Sequence, residues 1–158
     1  MLTANAATQA RGLESGIDDF TRTRAMTQAT PANTPAPTRV LSLSEATALD
    51  AQPDHPKPER RVRGNPLRLT RNLYDSGDGS FSCGLWQCEP GAWNIDFPAN
   101  KEEYFHVLDG RIRITGPTGE AREFGPGEAC VIPAGFKGLF EVLAPVTKHY
   151  VLRDASAA

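Results

Sequence analysis

Five side chains carry the chemistry this sequence has to offer, and all lie in its second half: Glu103, His106, Lys148, His149 and Tyr150. A carboxylate, an amine, an imidazole and a phenol are the groups of general acid–base catalysis. Glu103, Lys148, His149 and Tyr150 are therefore the candidate catalytic residues. If Glu103 faces inward among Phe105, Val107, Phe140 and Val142, burial raises its pKa unless a cation pairs with it, and Lys148 is the obvious cation. A carboxylate so raised can serve as acid or base. In the plainer reading it makes a structural ion pair or hydrogen bond. His106 stands three residues from Glu103, and side chains on a strand alternate with period two. It is expected outside the cavity, in a sheet or subunit contact. The spacing leaves the facing of His149 open. Beside Glu103 it would give at most a weak site for a divalent metal, because a carboxylate and one imidazole do not hold a transition metal tightly. No cofactor is expected.

Those groups have to be positioned by β-structure. Of the twelve Phe, Tyr and Trp residues, only Phe20 precedes residue 67. Aromatic side chains supply much of the area that a core buries, so the core must come from the second half of the chain. Short β-branched and aromatic runs alternate there with glycine turns. They predict strands near 68–74, 81–88, 92–97, 102–108, 111–116, 120–124, 128–132, 138–143 and 147–153. Asp109-Gly110 reads as a two-residue hairpin turn, and Thr118-Gly119 and Pro126-Gly127 as two further turns. Many short strands with regular turns imply a sandwich, a jelly roll or a barrel. Residues 67–153 are thus expected to form a single barrel domain. Trp86, Trp93, Phe97, Phe105 and Phe140 would line a pocket for one small ligand or simply fill the core.

Residues 1–60 read differently. The stretch ATPANTPAPTR at 29–39 has almost nothing to bury and predicts a disordered leader. Met26 is a second candidate start of translation. Ser42 and Glu45 have the capping-box spacing, which predicts a short helix near 44–49. Residues 51–59 hold three prolines and read as a linker, with His55 exposed and silent. Arg60, Arg61, Arg63, Arg68 and Arg71 form a basic run that reads as solvated linker and charge-protected edge strand.

Two motifs stand in order within this all-β background: EYFHVLDG from Glu103 to Gly110, and GEACVIPAG from Gly127 to Gly135. They resemble halves of the first and second cupin motifs. The pieces Trp86-Gln-Cys88-Glu-Pro-Gly91, Glu103, Gly127-Glu128, Ile132-Pro-Ala-Gly135 and Lys148-His-Tyr150 resemble the cupin family named for the ureidoglycine aminohydrolase domain. Ethanolamine-utilisation cupins are its relatives. The resemblance covers about residues 80–152. It implies an all-β, cupin-like (RmlC-like) jelly-roll β-barrel, commonly a homodimer, with Glu103 as the inward ligand carboxylate. A metal-binding cupin typically supplies two His and one Glu from the first motif and one His from the second. Here the first two positions fall on Asp96 and Pro98, or on Phe97 and Ala99, and the last on Gly138. Only Glu103 remains of four, so the family's activity does not carry over with its name.

The remaining composition narrows partners and location. A net charge of −2 gives no broad attraction to nucleic acid. Cys83, Cys88 and Cys130 are odd in number, have no metal-ligand spacing, and read as reduced residues of a cytoplasmic protein. No apolar run approaches the roughly 20 residues that cross a membrane. The sequence therefore points to a small-molecule-binding barrel of unassigned specificity, lacking the His-rich metal site and forming a homodimer. The alternative is an enzyme of aminohydrolase, isomerase or lyase type that uses Glu103 with Lys148, His149 or Tyr150. A third reading is a structural or regulatory dimer.

Overall fold

The computed structural model describes residues 39–157. Its strands are β1 (Gln52–Asp54), β2 (Arg61–Arg63), β3 (Arg68–Asp75), β4 (Phe81–Cys88), β5 (Gly91–Asp96), β6 (Lys101–Thr115), β7 (Ala121–Phe124), β8 (Ala129–Ile132) and β9 (Lys137–Asp154). The two long strands, β6 and β9, organise the rest. They pair antiparallel from Lys101↔Asp154 to Thr115↔Leu139. On its other edge β9 pairs first with β5 and then with β4. On its other edge β6 pairs first with β8 and then with β7. The sheet therefore bends halfway along β6 and β9 into two layers, β1-β3-β4-β9-β6-β8 and β2-β5-β9-β6-β7.

Three register shifts between Val107 and Ile112 place that bend. Such bulges turn a strand from one sheet into the next. Gly110 sits in the bend at φ 86°, and a Cβ there would lie 2.1 Å from the Pro145 carbonyl oxygen. Only glycine meets both demands. The expected hairpin at Asp109-Gly110 is thus not formed. The chain makes a corner and continues as one strand, because β9 runs alongside it through the bend and supplies the pairing that a hairpin would have broken. The predicted strands 138–143 and 147–153 likewise join into β9. The turns at Thr118-Gly119 and Pro126-Gly127 are present, with Gly119 and Gly127 at positive φ.

Apolar side chains alternate inward along these strands and close the core between the layers. Trp86, Trp93, Phe105, Ile112, Phe140 and Val142 are buried there. The Trp93 and Phe140 rings stand 5.0 Å apart and Trp86 and Phe140 6.0 Å. At roughly 25 cal/mol per Å² of apolar surface, such burial is the main source of stability.

Residues 40–63 differ from the expectation of leader and linker. Residues 1–38, including the proline-rich stretch up to Thr38 and the second methionine, lie outside the described residues. The short helix is present as a 3-10 helix at Leu43–Ala48, with the Ser42 amide donating to Glu45 Oε1 at 2.7 Å. Its Ala46 is fully buried. β1 pairs with β3, and β2 with β5. Arg68 is not solvated: it is 3% exposed, forks onto Asp54 at 2.8 and 2.6 Å, and lies over the Trp93 ring at 5.6 Å. A bidentate carboxylate lets a guanidinium be buried where water would otherwise have to solvate it. His55 is exposed, as its sequence context implied, with a ring nitrogen 3.0 Å from the Pro66 carbonyl oxygen.

Candidate functional site

Alternation along β6 buries Glu103, Phe105 and Val107 and turns Tyr104 and His106 to the other face. Alternation along β9 buries Val146, Lys148 and Tyr150. Glu103 and Lys148 thus enter the same interior from neighbouring strands. They are 3% and 2% exposed, and Lys148 Nζ donates to Glu103 Oε1 at 2.5 Å. The rest of the ammonium faces aromatic rings. Nζ lies 4.2 Å from the Phe105 centroid, 4.7 Å from Trp86 and 5.4 Å from Phe140. All three fall within the range of cation–π attraction. Trp86 is the direct cross-strand neighbour of Lys148, Phe105 comes from β6, and Phe140 comes from the opposite layer. A desolvated ammonium is stable only when its charge is matched in this way.

Glu103 Oε1 accepts this one hydrogen bond, and no described residue donates to Oε2. Cys130, half-buried on β8 opposite Phe105, borders the pair. Burial pushes its thiol up to about 11 and the Cys88 thiol to about 12, against partial opposition from Lys148. Both remain thiols at neutral pH and are poor nucleophiles. The Tyr150 hydroxyl donates to Asn72 Oδ1 at 2.8 Å. Burial is the main reason its phenol is pushed up, with the negative charge of Asp75 adding to it.

Of the candidate catalytic residues, the structure brings Glu103 and Lys148 together. His149 goes elsewhere: it is the cross-strand partner of His106, on the face turned away from the interior. Period-two alternation forces this once Lys148 and Tyr150 are inside. Glu103 and His149 therefore cannot share a metal ion. Burial and the neighbouring His106 push the His149 imidazole down. Trp86, Trp93, Phe105 and Phe140 pack against one another, and Phe97 joins the same buried cluster.

The residues present do not fit the metal that the fold's metal-binding members hold. Asp96 is exposed and paired with Lys137 at 3.2 Å. Phe97 is in the core. A Cβ at Gly138 would lie 2.4 Å from the Thr115 carbonyl oxygen, so no histidine side chain has room there. Among the described residues no group of three His, Cys, Asp or Glu could hold a metal ion. The one carboxylate that remains already serves an ammonium.

The aromatic enclosure of Lys148 and the latch between Arg68 and Asp54 escaped the sequence reading. Period two offered a signal for the first, since Trp86, Phe105 and Lys148 each sit on an inward phase. Three residues of β1 offered none for the second.

Comparison with known proteins agrees with this architecture. Residues 75–150 match the family model of the EutQ-like cupin domain. No curated protein matches the chain. A crystal structure from Pseudomonas syringae pv. tomato, of a DUF861 family protein of unknown function, superposes with TM-score 0.59 at 20% identity, over 66% of this chain and 46% of that one. This chain therefore spans less than half the length of that protein. The ethanolamine utilization protein EutQ of Salmonella typhimurium superposes with TM-score 0.50 at 20% identity, over 66% of this chain and 98% of that one. Ectoine synthase from P. lautus gives TM-score 0.52 at 17% identity, over 73% and 78%. These likenesses are of fold, and the family match is confined to residues 75–150.

Proposed function

We propose that this cupin domain is a metal-independent binder of a small molecule bearing a hydroxyl or ammonium group. The observation that carries the reading is Glu103: a carboxylate held inside the barrel, with Oε1 on Lys148 and no described residue donating to Oε2. Among the described residues no fully buried side-chain nitrogen or oxygen lacks a partner, so Oε2 is an acceptor still open to a ligand, and a ligand hydroxyl or ammonium is the donor it can take. The resemblance to ureidoglycine aminohydrolase-type cupins is compatible with such a ligand and carries no reaction with it. Acid–base chemistry would have to run through Glu103 with Lys148 or Tyr150, since His149 faces away. Free thiols at Cys83, Cys88 and Cys130 suit a reducing, cytoplasmic setting. Among the described residues no helix is long and apolar enough to cross a membrane.

Thermal unfolding in the presence of methylammonium, ethanolamine, ethylene glycol and, as a control, acetate tests the reading. A ligand that binds only the folded state raises Tm. The donors should raise it and acetate should not. If no donor raises Tm, or acetate raises it equally, the carboxylate is not the recognising group.

A second reading has its own observation. The outer face of the β4-β9-β6-β8 layer leaves Tyr104 45% and Val131 64% exposed, side by side in register. Leu108 is also exposed, and Glu102 pairs with Arg153 at 2.9 Å along the same face. One apolar strip beside one acid and one base is self-complementary about a two-fold axis. On this reading the chain is a homodimer that buries the strip.

A further inference from the structure

Three aromatic faces and one carboxylate are what proteins assemble to recognise an organic cation. In this barrel they enclose the chain's own ammonium. Lys148 Nζ is 2.5 Å from Glu103 Oε1 and 4.2 to 5.4 Å from the Phe105, Trp86 and Phe140 centroids. The enclosure draws on both layers of the sheet, so it belongs to the folded barrel and not to one strand. It also holds the one carboxylate that survives from the metal-ligand set, while Gly138 excludes a side chain where the last imidazole would stand.

We infer that the interior of this barrel is a primary-ammonium site, and that Lys148 fills it as a tethered cation in the place where the fold's metal-binding members keep a metal ion. The chemistry is selective. A metal ion needs several lone pairs within about 2.0–2.6 Å. An ammonium needs one or two acceptors and accepts π-faces for the rest. Replacing imidazoles by rings without donor atoms therefore changes the preferred cation from a metal to an amine. The inference shares Glu103 with the binding reading above but holds whether or not a ligand reaches Oε2.

Lys148→Ala removes four heavy atoms, three carbons and a nitrogen, which is n-propylammonium. The full-length variant should melt well below the wild type. Adding n-propylammonium chloride should raise Tm with the logarithm of its concentration above Kd, by on the order of 5 °C at about ten times its Kd. 1-Propanol, of the same heavy-atom count but neutral, should not, and neither should zinc chloride. The double variant Glu103→Gln/Lys148→Ala should lose the response to propylammonium. Equal rescue by propanol would show a mere apolar slot, and rescue by zinc would show a metal site. An unchanged Tm for Lys148→Ala, or no rescue by propylammonium, would also overturn the inference. If Lys148→Ala is isolated unfolded, the same additives are compared in refolding: recovery with propylammonium alone supports it, and any other result contradicts it. Ligand response of the wild type is measured separately, so failure of the binding reading leaves this outcome legible.

Discussion

Removing one member of the Glu103–Lys148 pair is a different perturbation from removing both. Both groups are nearly sealed from water. Lys148→Met leaves a carboxylate enclosed without its cation, and Glu103→Gln leaves an ammonium without its anion. Breaking a buried pair in this way costs about 3–5 kcal/mol, whereas replacing both charges by neutral groups of similar volume is often neutral. Urea denaturation of Lys148→Met, Glu103→Gln and the double variant should therefore show two large losses and a double variant more stable than either single. Additive losses would mean that the two groups do not act as a pair. Glu103 and its inward direction were legible through the cupin resemblance, which sets the ligand carboxylate at this spacing from Gly110. Lys148 was legible as a partner by charge alone. Phe105 and Phe140 are expected beside an inward Glu103, but that they close with Trp86 around the ammonium depends on the bend in β6 and β9.

At the scale of elements, the segment before the barrel carries more than its composition suggests. β1 is three residues long, has no alternation to read and contains Pro53, so sequence periodicity could not register it. Its Asp54 nonetheless receives the fork of Arg68, which is 3% exposed, and Arg68 also reaches the His55 carbonyl oxygen at 3.1 Å. Asp54→Ala should destabilise the domain by about 3 kcal/mol, in the range for loss of a buried charged partner. A chain truncated to begin near residue 64 should lose at least as much, since it lacks β1, β2 and the 3-10 helix that buries Ala46. Equal melting temperatures for the truncated and full chains would show that these elements only decorate the surface. The corner at Gly110 teaches a related lesson. Asp-Gly marks a reversal when the neighbouring strand ends with it, and a bend when the neighbour continues. The local dipeptide is the same in both cases.

At the scale of the whole molecule, the dimer reading proposed above would link assembly to pH through the outer strip and its two imidazoles. His106 and His149 are cross-strand partners, with Glu102 and Arg153 paired further along the face and Gln87 bonded to Thr147 on the adjoining strand. Burial and His106 hold the His149 pKa below its ordinary value near 6.5. A base with a depressed folded pKa binds its proton more readily when unfolded, and a dimer that covers this face would add to the depression. Its contribution is therefore complete above the unfolded value and shrinks as pH falls through about 6.5 toward the folded one. Light scattering at micromolar concentration should find a dimer at pH 8 and a shift toward monomer at pH 5.5. Monomer at both values would remove the dimer reading, and dimer at both would remove the role of the histidines.

Metal content tests the central claim most directly, that Lys148 supplies the cation of this barrel. The full chain, made without an affinity tag in medium replete with zinc, manganese, iron and nickel, is analysed for metals and then melted with and without EDTA. The account predicts metal far below one ion per chain and the same Tm in both samples. One first-row ion per chain, removed by EDTA with a fall in Tm, would contradict it.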